Sequence, residues 1–586
     1  MKRFRDKTTS VCMTLILIWM STVSCDSCSP ICDCVENYFA YCDRRDVTTG
    51  HVINILDQLP IRLTYIDISH NLLSVLTENM FHRHGDLTSI NINHNALRII
   101  GRRTFHPLVR LRKLFLHHNN LFQITSDDFS YLKQLQKLYL NHNRIRVIQE
   151  RSFAHLENLL ELHLERNYLT NVTSQTFIGL TRLRILNLSD NNVHVISDFA
   201  FSSLFNLHKL YLNNNTVINL TSHTFSNMTS LRELDLSHNE IESINSSHLD
   251  TFKHHIRIIR LSSNRIARLS GDLFREMNKL SVLDLTQNKI KEIDDDVFWY
   301  LDLQELYLQA NLLTTVTRAM FLYTYSVKAV DFSYNLIHTV SPGSWAGLGQ
   351  SLLSLNLTGN DLTDLSKSMV QGMEALRMLS VANNQIFIID SRFIAELPDL
   401  QMLDLSGNKL TSLVSRDLWG LELVPRILLE RNPLRHFSGF VFVGEIHVSL
   451  SLSIISRNDR TVNVTWPYVG GNQLYWSVTV KNMNNTETKY DVTFYLQAYV
   501  TSATIPGLSP LTHYFICVRP VFVDESVKVN QIGYVTTSGW DELVTQTTLS
   551  LDKQVSRSSR PTLSAILYCL IFMVMVRFTS ISGLES

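Results

Sequence analysis

Between about Leu63 and Leu434 the apolar positions recur as L-x-x-L-x-L-x-x-N-x-L. The frame appears first as Leu63, Ile66, Ile68, Asn71 and Leu73, and next as Leu87, Ile90, Ile92, Asn95 and Leu97. The asparagine returns at Asn119, Asn143, Asn167, Asn191, Asn215, Asn239, Asn264, Asn288, Asn311, Asn335, Asn360, Asn384, Asn408 and Asn432, a period of 24 with one-residue slips at three steps. Alternating apolar positions point one way from a short strand and the residues between them point the other. Repetition of such a unit predicts a stack of coils, each adding one strand to a parallel sheet. At the turn after the strand the buried backbone lacks a sheet partner. An asparagine side chain, donor and acceptor at once, is expected to satisfy the peptide groups of neighbouring coils there.

A second column lies ten residues beyond most of these asparagines, at Phe81, Phe105, Phe129, Phe153, Phe177, Phe201, Phe225, Phe274, Phe298, Phe321 and Trp345. Its place inside the repeat frame predicts an aromatic spine along the convex side rather than a binding stripe. Burying about six or seven apolar side chains gains on the order of 10–20 kcal/mol per coil. Ordering the backbone costs roughly 1–2 kcal/mol for each residue. A single coil therefore cannot fold alone, and the two ends of the stack need caps.

The repeat resembles the extracellular leucine-rich-repeat family over about two-thirds of the chain, and Cys28, Pro30, Cys32, Cys34 and Cys42 resemble that family's N-terminal cap. The resemblance implies an α/β-type solenoid, a horseshoe with a parallel β-sheet on its concave face, and disulfides Cys28–Cys34 and Cys32–Cys42. Asn432-Pro433-Leu434 resembles the opening of the family's C-terminal cap, but the cysteines that normally follow are absent from Arg435 to Ser451. The next domain, or the apolar stretch Phe437 to Val443, is expected to cover the last coil.

From about Val448 the period becomes strict alternation, as in Val462, Val464 and Trp466 and in Leu474, Trp476, Val478 and Val480, which predicts antiparallel strands. Gly507-Leu508-Ser509-Pro510-Leu511-Thr512-His513-Tyr514 resembles the tyrosine corner of fibronectin type III domains, and Trp466 matches their core tryptophan. The fold implied is an all-β sandwich following the solenoid. Cys517, between Ile516 and Val518, has no partner in this domain and is read as a shielded thiol, with an intermolecular crosslink as the other possibility.

The ends place the chain in a compartment. Lys2, Arg3, Arg5 and Lys7 precede the apolar run Val11 to Met20 and small residues near Cys25, the layout of a cleaved secretory signal. Export makes disulfides, not zinc, the expected state of the clustered cysteines. Near the other end, Leu563 to Val576 is almost unbroken apolar sequence closed by Arg577. It is either a single span or a glycolipid-attachment signal. The division expected is a signal peptide at 1–25, a cysteine-rich cap at 26–50, repeats at 51–440, a fibronectin type III domain at 445–550, a stalk at 551–561 and the membrane segment at 562–581.

Charge and motif content narrow the function. Lys+Arg and Asp+Glu balance at 53 each, so neither nucleic acid nor an anionic lipid surface is a favoured partner. There is no G-x-S-x-G elbow, no H-E-x-x-H and no phosphate-binding glycine loop, and the chain is read as a non-enzyme without cofactor or metal. His70, His94, His118 and His142 fall just before four successive ladder asparagines, where stacked rings could bind metal or sense pH, although histidine is also an ordinary surface choice there.

The binding surface expected is the column between the inner leucines, with Phe115, Tyr139, His163, Asn187 and Tyr211 facing out beside Arg112, Lys113 and Lys137. Glycan acceptors stand at Asn171, Asn187, Asn214, Asn219, Asn227, Asn245, Asn356, Asn463 and Asn484. The ligand is therefore placed on the coils before Asn171. The whole resembles neuronal and developmental cell-surface proteins, which implies adhesion or reception of an extracellular or cell-surface protein ligand at the plasma membrane, with a co-receptor carrying any signal. The rival readings are a secreted matrix component and an innate receptor for microbial molecules.

Overall fold

The computed structural model describes residues 28–413 other than Ser391, residues 424–433, and the backbone course of the strands between 436 and 553. The chain divides into two compact units at Leu434/Arg435. The signal segment, everything after Lys553, the stretch 437–443 beyond its first residue, and the side chains of Trp466, Tyr514, Cys517, Asn463 and Asn484 lie outside the described residues.

In the first unit most coils contribute a three-residue strand whose middle residue is buried and whose outer two are half-buried or exposed, as in Lys137–Tyr139 and Glu161–His163. The strands pair in parallel and in phase, with Leu114 beside Leu138, Leu138 beside Leu162 and Leu162 beside Leu186. The repeat of 24 residues sets this register, since a slip of one residue would turn the leucine column into solvent. Backbone bonds continue past each strand, Leu116 N to Tyr139 O at 2.9 Å and His118 N to Asn141 O at 3.0 Å.

The ladder asparagines do what their chemistry predicts. Asn143 Nδ2 donates to Leu116 O of the preceding coil at 3.0 Å and to Leu140 O of its own coil at 2.9 Å, while its Oδ1 accepts from Leu121 N at 3.0 Å. The same three contacts recur from Asn71 to Asn432, and every member but Asn95 is buried. On the opposite side two-residue strands such as Val75–Leu76 and Ile99–Ile100 pair in parallel. Between the two sheets runs the aromatic spine, Phe81, Phe105, Phe129, Phe153 and Phe177, with ring centroids 6.2–6.4 Å apart and almost no exposure.

One feature departs from the α/β label. Among the described residues of this unit, helix is confined to Thr49–Asp57, which buries Val52, Ile55 and Leu56, and to short turns such as Ser246–Leu249 and Lys367–Val370. A 24-residue coil leaves too few residues between strand and spine for a longer helix, so the outer side is built of turns. The cap is sealed as the resemblance implies, by Cys28–Cys34 and Cys32–Cys42. Its hairpin, Asp33–Val35 with Phe39–Tyr41, hands the sheet on to Tyr65–Asp67 through a parallel pairing.

The second unit is antiparallel. One sheet runs Ser453–Arg457, Val462–Thr465, Ser502–Ile505. The other runs Val492–Gln497, Gln473–Asn482, Thr512–Phe522, Val527–Thr537, Thr548–Lys553 and Glu445–Val448. Its strand at Thr548–Lys553 reaches into the segment read as a stalk. Among the described residues no helix is long and apolar enough to cross a membrane.

Candidate ligand-binding face

On the strand side each coil exposes a column position between its two inner leucines. In many coils this residue is Asp or Asn, and it caps its own turn by accepting the N–H two residues on. Ser69 N reaches Asp67 Oδ1 at 2.9 Å, Ser237 N reaches Asp235 Oδ1 at 3.0 Å, and Ser333 N reaches Asp331 Oδ1 at 2.8 Å. The ring side chains Phe115, Tyr139, His163 and Tyr211 replace that local bond with surface area.

Three of them come together. Phe115 and Tyr139 stack at 4.8 Å and 13°, and Tyr139 and His163 at 4.7 Å and 8°, because adjacent strands pair in phase and hold equivalent side chains one strand spacing apart. All three are half-buried, so one edge of a continuous ring platform faces out. Tyr211 does not join it, since Asn187 intervenes on the next strand and bonds Ser189 N at 3.0 Å. It lies instead beside an ion-pair network in which Glu233 accepts from Lys209 at 2.9 Å and from Arg260 at 2.7 Å. Burial there opposes ionisation of Glu233, but the bonds from Arg260 and Lys209 outweigh it and hold its carboxyl below the usual range.

Of the basic residues expected beside the platform, Lys113 is exposed and Lys137 is tied to Glu161 Oε1 at 2.7 Å. That bond first, and the nearby negative charge, raise the Lys137 pKa. The Tyr139 hydroxyl shares Glu161 at 3.3 Å, and burial followed by the Glu161 charge pushes its pKa up. Arg112 is exposed just before the Lys113–Phe115 strand, and its carbonyl anchors the next coil.

The column next to the platform was missed by sequence reasoning. Asn93, His117, Asn141 and Glu165 stand two residues after Asn91, Phe115, Tyr139 and His163, and the same period of 24 would have found them. Asn93 Nδ2 donates to His117 Nε2 at 2.8 Å, which leaves Nδ1 of that ring to carry the proton. Asn93 Oδ1, His117 Nδ1, Asn141 Oδ1 and Glu165 Oε2 are buried without a hydrogen-bond partner in the protein. For Glu165 Oε2 there is only a 3.5 Å approach from His163 Nδ1. Burial, then His118, His94 and His142, lower the His117 pKa to about 4. Four orphaned polar atoms in successive coils each cost about 1–3 kcal/mol until something satisfies them.

The acceptor residues Asn171, Asn214, Asn219, Asn227 and Asn245 are exposed, and Asn187 and Asn356 are half-buried on the strand face. All lie beyond the platform's three strands. Among the described residues no group of three or more His, Cys, Asp or Glu side chains is arranged to hold a metal ion.

A model of the leucine rich repeat family matches residues 61–121, 133–193, 181–241, 205–252, 254–313, 302–351 and 379–434, together more than half of the chain. The chain is 30% identical over 161 residues to Tsukushi-A of Xenopus laevis, covering 26% of this chain and 43% of that protein. It is 28% identical over 167 residues to keratocan of Gallus gallus, covering 27% of this chain and 45% of that protein. The chain thus spans less than half the length of these relatives. In fold it is similar to a chain in the Toll–Spatzle complex of Drosophila, with a TM-score of 0.54 and 24% identity over 66% of this chain and 50% of that one.

Proposed function

The chain belongs to the leucine-rich repeat family, and on that premise we propose that it is a non-enzymatic, cell-surface recognition protein that binds an extracellular protein ligand through the strand face of its N-terminal coils. The observation that carries this reading is the platform Phe115–Tyr139–His163 beside the orphaned atoms of Asn93, His117, Asn141 and Glu165. Rings locked by stacking lose little entropy on binding, and their half-buried edges offer contact area on a rigid base. Exposed Arg112 and Lys113 favour a ligand with acidic groups at that edge. In the Toll–Spatzle complex a similar fold is held together with a second component, Spatzle.

The absence of acceptor sequences before Asn171 supports the same placement, with glycans at Asn171, Asn187, Asn214, Asn219, Asn227, Asn245, Asn356, Asn463 and Asn484 covering the remainder. We read the second unit as a fibronectin type III domain. What supports it is the partition of strands into a three-stranded and a larger antiparallel sheet, with the segment containing Tyr514 on a central strand. The segment 562–581 is read as the membrane attachment, by span or by glycolipid, and treatment with a phosphatidylinositol-specific phospholipase separates the two.

The test of the binding face is a double variant, Phe115→Ser with Tyr139→Asp. A cell-surface interactome screen with the glycosylated protein identifies the ligand, and its affinity for the variant is then measured. Two anchors of hot-spot quality predict a loss of about thirtyfold or more, with an unchanged circular dichroism spectrum. Equal affinity in the two proteins would remove the platform from the interface.

A further inference from the structure

The residue just before each ladder asparagine forms a separate edge of the stack. It has a left-handed backbone in every coil, with φ of 53° at His70, 50° at His94, 54° at His118, 53° at His142 and 55° at Arg166, and Arg44, at the matching place in the cap strand's register, has 55°. The four imidazoles stack face to face with centroids 4.3, 4.2 and 4.0 Å apart and interplanar angles of 8°, 10° and 17°. They line an open groove together with Asn71, Asn95, Asn119 and Asn120. Parallel planes keep the ring nitrogens from converging on one point, so the row is poorly shaped for a metal ion. It is better shaped for a line of anions, because the ring edges border the open groove and Arg44 and Arg166 occupy the matching positions on either side of the row.

We infer that the edge Arg44–His70–His94–His118–His142–Arg166 is a binding strip for a single linear sulfated polysaccharide. The choice of polyanion follows from what the stacking uses up. Binding of single-stranded nucleic acid relies on aromatic faces for its bases. Here the faces of the inner rings are covered by one another, while their edges remain free for sulfate and carboxylate oxygens. The strip runs alongside the Phe115–Tyr139–His163 platform, with His117 between them at 5.6 Å from His118 and 6.2 Å from both Phe115 and Tyr139, and is proposed for a second ligand.

The groups facing the rings make the strip acid-dependent. Burial first, then the neighbouring rings and Arg44 or Arg166, lower the pKa of His94 and His118. Burial and Arg166 lower that of His142, against Glu165 and Asp190, which raise it. His117 flanks the row with its ring 5.6 Å from His118 and 6.1 Å from His94, and Asp190 approaches Arg166 at 3.4 Å. Near neutral pH the arginines are then the strip's fixed charges. As pH falls His94, His118 and His142 charge, each resisting its neighbours, and a bound polyanion relieves that repulsion. Proton and polysaccharide binding are therefore mutually favourable by linkage.

The test uses the full chain and a size-defined heparin oligosaccharide, with single-stranded DNA of equal charge as the second arm. Heparin affinity is expected to rise at least about tenfold between about pH 7.4 and about pH 5, because burial and mutual repulsion hold these imidazoles below the ordinary range. The double variant His94→Asn with His118→Asn should lose that rise. Asparagine already occupies this left-handed position at Asn214 and Asn383, so the backbone accepts it. A second variant, Arg44→Gln with Arg166→Gln, should bind more weakly at both pH values while keeping the rise. A flat profile, or a rise that persists in the histidine variant, overturns the strip. DNA binding as tight and as acid-dependent as heparin binding overturns the assignment to polysaccharide.

Discussion

At the scale of single residues, the ladder asparagine illustrates how one side chain can tie two coils together. Asn143 satisfies a carbonyl in each of two coils and an N–H in one of them. No other neutral side chain of that length offers donor and acceptor together except at greater reach. Replacing it with leucine strands those groups in a dry interior. Asn143→Leu is expected to cost on the order of 2–4 kcal/mol, read from denaturant unfolding, with faster amide exchange concentrated in the coils on either side. A change within about 0.5 kcal/mol, the ordinary range of an exposed substitution, would mean that the ladder bonds are replaceable by water. The same residue-scale logic separates the aromatic column members from their Asp and Asn equivalents. Asp67, Asp235 and Asp331 are held to a local bond, whereas Phe115, Tyr139 and His163 are free to serve a surface.

At the scale of elements, the coil is a strand, a turn and a spine residue whose register is shared with its neighbours. The spine shows what happens when phase slips. After Phe225 the regular position holds Leu249, and Phe252 swings in from three residues later, meeting Phe225 at 68° rather than parallel. The slip coincides with the 25-residue step from Asn239 to Asn264, and a short helix with a 3-10 turn, Ser246–Leu249 and Asp250–Phe252, absorbs the extra residue. A regular member has no such adaptability. Phe153, stacked at 6.2 Å on Phe129 and 6.4 Å on Phe177, is fully buried. Phe153→Ala should therefore cost about 3–5 kcal/mol, measured as a shift of the denaturation midpoint. Near-native stability of that variant would show that adjoining coils close over the gap.

At the scale of the whole molecule, a stack whose coils touch only their neighbours is as stable as its ends. The cap residues Ala40 and Cys42 are buried, and Asp33–Val35 and Phe39–Tyr41 give the first repeat strand its partner. The variant Cys32→Ser with Cys42→Ser removes the bridge that holds this hairpin. It should cost about 2–5 kcal/mol, with protection from amide exchange lost first in the strands Tyr65–Asp67 and Ser89–Asn91 and later in Met402–Asp404. Uniform loss along the stack would mean that the coils open as one unit. The Phe115 and His118 surfaces lie close to this end, so destabilising the cap also threatens both proposed binding sites.

The sequence by itself determined the coil. A frame repeated with a period of 24 residues, an asparagine with two hydrogen-bonding roles and an aromatic at fixed offset leave one way to bury every leucine, so the parallel stack, its ladder and its spine were all legible. Phe115, Tyr139 and His163 could be named because a column follows from the period alone. What only the tertiary structure decided was how columns interact sideways. The orphaned atoms of Asn93, His117, Asn141 and Glu165, the capture of Lys137 by Glu161, and the separation of Tyr211 from the platform depend on side-chain distances of a few ångströms across adjacent coils. A one-dimensional pattern records which residues share a column. It does not record which of them bond to one another and which are left without a partner.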